Sequence, residues 1–569
     1  MGGVAIRQAE SRATDEEHPA INAILGANPF VGLDNRQMLE TMTRFMSSLA
    51  SRPASVTSRG LQLAVELGQI AAGVSDVAPA SGDKRFTDPT WSNHPAYRRL
   101  MQTYLAWRTA MHELVADGDG RDWKDVEQQR FAVTLMTEAL APTNTFFGNP
   151  AALKRAFETA GMSLVAGARN FLTDLWENGA MPAQVDKRPF EVGKNLAISP
   201  GAVIYRSPLC EVIQYAPQTE KVFERPLLLI PPQINKFYIM DLAPGRSFIE
   251  YATKHGVPMF AISWRNPTPA NRDWGLDEYI TACKEAIDAV CDVSGSPDCN
   301  VAGVCAGGIT TALLLGHLAA RGERRVNAAT LLVTMLDTSL PSMTGMFATE
   351  DAIKAAIAKS AQSGILDGAD MARVFAWLRP NDLVWNYWVN NYLLGNSPAP
   401  FDILYWNSDS TNLPARLHAG FLDLFLRNPL AHRNEVSVLD TPIDLRSVTS
   451  DMYLVAGMTD HICAWRACYL ATRMFDGKTE FVLGSSGHIQ SLVNPPGNFK
   501  SRYYLNPKLP EEPERWLKGA AEYKGTWWDH WIKWLSARSG AERPAPTGLG
   551  SERFKAAEPA PGLYVHEHH

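Results

Sequence analysis

Cysteine is scarce in this chain: seven residues in 569, at positions 210, 283, 291, 299, 305, 463 and 468. They are odd in number and contain no C-x-x-C pair, which argues against a disulfide framework or a zinc ribbon and fits a reducing, cytoplasmic setting. Long apolar runs are missing too. Leu227–Ile230 and Leu313–Leu315 fall far short of the ~18 residues of a membrane-spanning helix, so no bilayer crossing is expected. Positive charge is not in excess: 54 Lys and Arg stand against 60 Asp and Glu, a net charge of −6. That balance argues against nucleic acid as a partner, which would need a basic face. The opening MGGVAIRQAESRATDEEH has no apolar core and carries acids early, unlike a secretory or transit peptide. Ile6 occupies the place where a myristoylation signal after Met1-Gly2 wants Ser or Thr. No internal repeat of 20–50 residues and no low-complexity tract interrupts the chain.

What is present is an ordinary globular composition, 46% hydrophobic and 20% charged, on a length that suggests two to four domains at roughly 150 residues each. Residues 1–190 read as a mainly helical N-terminal domain. Arg98–Val115 and Asp125–Ala139 repeat apolar residues at three- and four-residue spacing. Breakers punctuate this half at Pro53, Ala78–Lys84, Gly118-Asp119-Gly120, Pro142 and Asn149-Pro150. From about residue 191 the pattern changes to short apolar segments alternating with helix-length stretches. The predicted strands are Leu227–Ile230, Val257–Trp264, Cys299–Val304, Ala329–Leu336, Met452–Ala456 and Glu480–Leu483. Such alternation predicts an α/β domain over 191–569, with a mostly parallel sheet covered on both faces. An interval at about 340–445 is too long for a plain loop. It is rich in aromatics (Phe375, Trp377, Trp385, Tyr387, Trp388, Tyr392, Phe401, Tyr405 and Trp406), and reads either as a folded cap or as a second core layer.

The segment that carries chemistry is Gly303-Val304-Cys305-Ala306-Gly307-Gly308, between the strand Cys299–Val304 and the helical pattern Ile309–Ala320. Strand, tight turn and helix with G-x-C-x-G at the turn is the arrangement of the nucleophile elbow of the α/β-hydrolase fold. Small neighbours are needed because the nucleophile sits in strained backbone, and a helix N-terminus favours a thiolate. The Ala306 N–H would then face a developing oxyanion. The bland alternative is a buried cysteine at a Gly-rich strand end. Against it, Asp460 follows the strand Met452–Ala456 and His488 follows Glu480–Leu483, in the chain order nucleophile, acid, histidine that this fold uses. In that reading His488 takes the Cys305 proton and Asp460 orients and charges the imidazole. Asp337, also at a strand end, is a runner-up acid that reads better as a turn cap. His461, His317 and His255 read as structural or surface residues, and Cys463 and Cys468 as bystanders on the following helix. The tail His566-Glu567-His568-His569 is the one place where a metal could bind adventitiously, and no functional metal site is expected. Trp527, Trp528, Trp531 and Trp534 have helical spacing and are expected to pack on the core.

At these residues the chain resembles the polyhydroxyalkanoate (PHA) synthases, the poly(3-hydroxyalkanoate) polymerase family. The elbow is similar to that family's lipase-like box with cysteine in place of serine. Further similar blocks are Pro231–Tyr238, Ser263–Pro267, Arg379–Trp388, Tyr405–Asn412, and Gly487–Ser491 with Asn494–Gly497. Gln490, Ala139–Asn144 and Pro231–Lys236 lean toward the medium-chain-length (class II) type. The resemblance implies an α/β-hydrolase catalytic domain under a cap and a reaction that polymerises (R)-3-hydroxyacyl-CoA with release of CoA, with Cys305 as nucleophile, His488 as base, and Asp460, with His488, activating the substrate hydroxyl. Ala306 and Ile234 would form the oxyanion hole by their backbone N–H groups, and Gln490 would help line the substrate pocket. It further implies no cofactor, a homodimer, and cytoplasmic polyester granules whose surface and growing chain the enzyme contacts. A cysteine-dependent thioesterase or acyltransferase of the same fold is the nearest alternative, and a non-catalytic granule coat protein the more distant one.

Overall fold

The computed structural model describes residues 35–117, 122–340, 350–377 and 380–568. The N-terminal stretch considered for targeting, the Gly118–Gly120 breaker and His569 lie outside them. The chain divides into two compact units, one of residues 1–186 with 373–401, the other of 187–372 with 402–569.

The first unit is helical. Its main helices are α1 (Asn35–Ala50), α2 (Pro53–Ala72), α3 (Pro95–Ala116), α4 (Trp123–Ala139), α5 (Pro150–Glu158) and α6 (Met162–Glu177). The breakers act as caps. Pro53, Pro95 and Pro150 open helices where the missing N–H costs nothing. Asn149 caps α5 by accepting the amides of Ala151 and Ala152. Glu138, 1% exposed, receives both Arg85 and Arg108, so the buried carboxylate is paired as its burial requires. Phe171 on α6 meets Trp388 and Tyr392 edge to face.

The second unit is built on a ten-stranded sheet. Its strands are β1 (Gly201–Arg206), β2 (Cys210–Tyr215), β3 (Leu227–Ile230), β4 (Met259–Trp264), β5 (Cys299–Val304), β6 (Val326–Leu332), β7 (Asp451–Gly457), β8 (Thr479–Gly484), β9 (Arg502–Leu505) and β10 (Ala521–Lys524). Their spatial order is β1-β2-β4-β3-β5-β6-β7-β8-β9-β10. The central six pair in parallel and the two strands at each edge pair antiparallel. β3, β4 and β5 are buried along their whole length, which is why they read as unbroken apolar runs. The four antiparallel edge strands had no such signature and were not predicted. β6 begins at Val326 and ends at Leu332, earlier than the expected Ala329–Leu336. Val333 turns to a positive φ of 45° and gives its N–H to Val455 instead.

The tryptophan-rich segment is core, as its spacing predicts. Trp527 and Trp531 are fully buried, and the Trp531 ring centre lies 4.3 Å from that of Phe248. The aromatic interval at about 340–445 is shared between the two units. Residues 373–401, with Trp377, Trp385, Trp388 and Tyr392, belong to the helical unit, whereas 402–445, with Tyr405 and Trp406, belong to the sheet unit; residues 341–349 lie outside the described part. Among the described residues no helix is long and apolar enough to cross a membrane.

Candidate active site

The elbow is held by steric crowding. Cys305 has φ 51° and ψ −118°, a conformation that costs a non-glycine residue on the order of 1–3 kcal/mol and persists only where its surroundings impose it. The surroundings do. A Cβ on Gly303 would lie 2.4 Å from Thr311 Oγ1, one on Gly307 2.3 Å from the Ile230 carbonyl oxygen, and one on Gly308 1.9 Å from Thr334 Oγ1. All three are far inside contact distance, so only glycine lets helix α7 (Ala306–Ala320) start this close to β3 and the end of β6. The Cys305 N–H donates to the Leu332 carbonyl at 2.9 Å, which ties the bend to β6. Cys305 itself is half-buried, whereas the other six cysteines are buried.

The acid and the histidine arrive from the ends of the next two parallel strands. His488 opens the short helix His488–Leu492, and its Nδ1 donates to Asp460 Oδ2 at 2.6 Å. The carboxylate is pinned on its other side, where Oδ1 accepts the amides of Ile462 (2.8 Å) and Cys463 (2.9 Å). Trp527 Nε1 donates to the Ser491 carbonyl at 2.8 Å, so the tryptophan cluster props the helix that carries His488. The His488 ring and the Cys305 sulfur are close enough for each to shift the other's protonation. Sequence reasoning assigned Cys305, His488 and Asp460 together; the structure joins His488 to Asp460 by a hydrogen bond and sets Cys305 where it feels both of them.

Electrostatics make the pair ionic. Burial disfavours a charged His488, but the charge and hydrogen bond of Asp460 and the neighbouring Cys305 outweigh it and push the imidazole up to about 10. The Cys305 thiol is brought down to about 5, first by the neighbouring Cys463 thiol and then by His488, against burial and the Asp460 charge. Both shifts favour a thiolate beside an imidazolium.

Cys463 is what sequence reasoning missed. It reads as a bystander from the sequence, and its sulfur lies within 4.8 Å of a His488 nitrogen and an Asp460 oxygen. The signal was its place three residues after Asp460, where the turn closed by Asp460 Oδ1 brings it back toward the strand ends. Asp460, Cys463 and His488 offer ligand atoms all within 4.8 Å of one another, the one group of this kind among the described residues. Two of the three are already committed to the Nδ1–Oδ2 bond.

Ala306 is the first residue of α7 and is buried, so its N–H has no intrahelical carbonyl to meet. Ile234, also buried, sits in the loop that leaves β3, and the start of that loop, at Pro231, is in contact with Gly307. The loop is tied down along its length. The Pro231 carbonyl accepts Trp264 Nε1, Gln233 Nε2 donates to Thr310 Oγ1, the Gln233 carbonyl accepts Thr411 Oγ1, and the Lys236 carbonyl accepts Trp406 Nε1. Gln490 is exposed on the His488–Leu492 helix.

The remaining sequence candidates are structural. Asp337 Oδ1 accepts the Ser339 amide and Asn428 Nδ2, the turn-capping role. His317 Nε2 lies 3.1 Å from Lys284 Nζ, and His255 Nδ1 lies 2.7 Å from the Tyr251 carbonyl. The C-terminal tail is fastened by Lys236, whose Nζ donates to the carbonyls of Val565 and Glu567 and pairs with Asp409 at 3.0 Å.

The profile described as the poly-beta-hydroxybutyrate polymerase (PhaC) N-terminus matches residues 82–252, and that of the alpha/beta hydrolase fold matches 226–495. The chain is 49% identical to poly(3-hydroxyalkanoate) polymerase 1 of Ectopseudomonas oleovorans, over 95% of this chain and 97% of that one. It is 47% identical to polymerase 2 of the same organism, over 95% and 96%. To the poly(3-hydroxyalkanoate) polymerase subunit PhaC of Cupriavidus necator it is 40% identical, over 87% and 85%.

Proposed function

This chain belongs to the poly(3-hydroxyalkanoate) polymerase family, and we propose that it joins (R)-3-hydroxyacyl-CoA units into polyester, releasing CoA, through a thioester on Cys305. What carries the reading is Cys305 on a strained elbow beside the hydrogen-bonded pair His488–Asp460. The Cys305 thiolate attacks the acyl carbon, with the Ala306 and Ile234 N–H groups receiving the oxyanion. The carbon–sulfur bond to CoA breaks, and the departing thiolate takes the proton held on His488. The neutral imidazole, charged and oriented by Asp460, then accepts the proton of a 3-hydroxyl as that oxygen attacks the Cys305 thioester. The new ester forms, and the thiolate and imidazolium return. A thiol suits this cycle because thioester exchange is near thermoneutral, whereas an ester on serine would sit in a deeper well.

Water must be kept from the acyl-enzyme, and we assign that covering role to the cap interval at about 340–445. The cycle as written uses no cofactor and no metal. Gln490, two residues beyond His488, contributes to the choice of acyl chain, and medium-length chains are the preferred monomers. Association with the granule surface is supported by Phe147, Phe157 and Trp176, each more than four-fifths exposed on the helical unit. We assign a homodimer as the working state.

Purified protein incubated with (R)-3-hydroxydecanoyl-CoA and (R)-3-hydroxybutyryl-CoA tests the reading. Thiol release accompanied by turbidity from polymer is expected, faster with the decanoyl substrate, and lost in Cys305→Ala. Release of free hydroxy acid without polymer would make the protein a thioesterase.

A further inference from the structure

We infer that Lys236 is a positioning residue of the reaction: its buried ammonium fastens the loop that carries Ile234 to the C-terminal tail, and so holds the Ile234 N–H where the oxyanion forms. The inference rests on the proposed thioester cycle at Cys305. Ile234 lies between two anchors. On one side Gln233 Nε2 donates to Thr310 Oγ1 at 2.9 Å, in the second turn of the elbow helix α7. On the other, Asn235 bridges to Ser410 and the Lys236 side chain reaches the tail. An N–H held between two such points shifts only if one of them gives way.

The Lys236 anchor matches every donor to an acceptor. Its Nζ donates to the carbonyls of Val565 at 2.6 Å and Glu567 at 3.1 Å and pairs with Asp409 Oδ1 at 3.0 Å, so all three ammonium donors are used. Lys236 is 5% exposed, and an ammonium out of water persists only where it is matched in this way. Asp409 Oδ2 accepts the Tyr238 hydroxyl at 2.8 Å, from the same loop, and its Oδ1 lies 3.4 Å from Nδ1 of the exposed His568.

The tail is itself fixed to the sheet. Glu211, fully buried on β2, accepts the amides of Leu563 and Tyr564 at 3.0 Å each. The Tyr564 hydroxyl donates to the Ser207 carbonyl at 2.7 Å. Arg265, just past β4, pairs with Glu567 at 3.0 Å and lays its guanidinium over the Tyr564 ring, 4.7 Å from the ring centre. These contacts are made without Lys236, so the tail is a post and the ammonium the strut that carries its rigidity to the loop. For packing alone an apolar side chain would serve as well, since replacing a buried ion pair by apolar groups is often neutral or stabilising. What an apolar side chain cannot do is grip two tail carbonyls beside Ile234.

The test separates oxyanion binding from the state of the nucleophile. Attack on a thioester carbonyl develops an oxyanion, whereas alkylation by iodoacetamide displaces iodide and does not. Rapid-quench measurement of CoA released in the first turnover with (R)-3-hydroxydecanoyl-CoA is set beside the alkylation rate of Cys305 at neutral pH, in the wild type and in Lys236→Met. First-turnover release is expected to slow about tenfold or more in the variant, with the alkylation rate unchanged. Equal first-turnover rates overturn the inference. So does an equal fall in both rates, which would mean that the nucleophile itself had been disturbed. If Lys236→Met does not fold because Asp409 is left unpaired, the double variant Lys236→Met, Asp409→Asn decides on the same two rates. A wild type that is alkylated yet releases no CoA would overturn the thioester cycle, and the inference with it, a signature distinct from the other two.

Discussion

Asp460 spends both carboxylate oxygens on fixed donors: Oδ2 on His488 Nδ1 at 2.6 Å, Oδ1 on the amides of Ile462 and Cys463. It can neither rotate nor be replaced by an amide without setting one donor against another.

Asp460→Asn is therefore expected to keep the side-chain shape while leaving its NH2 facing either two backbone N–H groups or the imidazole N–H. Steady-state CoA release should fall about 10²-fold or more, while one equivalent of CoA per Cys305 is still released in the first turnover. Rapid-quench measurement of the burst and the steady state checks this. An unchanged steady-state rate would remove Asp460 from the mechanism.

The ionic pair predicts a pH window. The thiolate exists above the lowered value of Cys305, about 5, and the imidazolium below the raised value of His488, about 10. In the wild type, iodoacetamide reactivity of Cys305 should rise through about pH 5 and be level from pH 6 to 8. A midpoint between 8 and 9, where an ordinary thiol ionises, contradicts the paired resting state.

The crowded bend predicts opposite outcomes for two glycine substitutions. Gly307→Ala places a Cβ against the backbone oxygens of Ile230 and Pro231, at 2.3 and 2.5 Å. It should destabilise by about 1–3 kcal/mol and abolish activity. Gly68→Ala, within α2 with nothing within 4 Å, should stabilise by about 0.5–1 kcal/mol. Thermal unfolding of the two variants beside the wild type checks both signs.

The Cys463 sulfur, the His488 imidazole and the Asp460 carboxylate, with ligand atoms within 4.8 Å of one another, form a donor set that zinc favours. Micromolar Zn²⁺ is expected to inhibit CoA release, to protect Cys305 from alkylation, and to be reversed by EDTA, while EDTA alone leaves activity unchanged. Loss of activity on chelation would instead make a metal part of the working enzyme.

The parallel strands were legible because burial on both faces leaves unbroken apolar runs, and β5 was read to the residue. The triad was legible because each member lies just past such a run. β6 was misplaced because Val333-Thr334-Met335-Leu336 is as apolar as a strand, while the left-handed turn at Val333 leaves no mark in composition. The aromatics of 373–401 announce a packed segment but do not say which unit it joins; the packing of Trp388 and Tyr392 on Phe171 is a contact between residues more than 200 positions apart. Cys463 was hidden by a turn made from side-chain hydrogen bonds, which hydrophobic periodicity does not register.

The three glycines of the bend abut three different parts of the fold: Thr311 on α7, Ile230 at the end of β3, and Thr334 after β6. Anyone redesigning the protein for unusual monomers meets this as a constraint on libraries. Diversity introduced at Thr311 or Thr334 would be read out as lost protein and not as altered product, however distant those positions look in a list of pocket mutations.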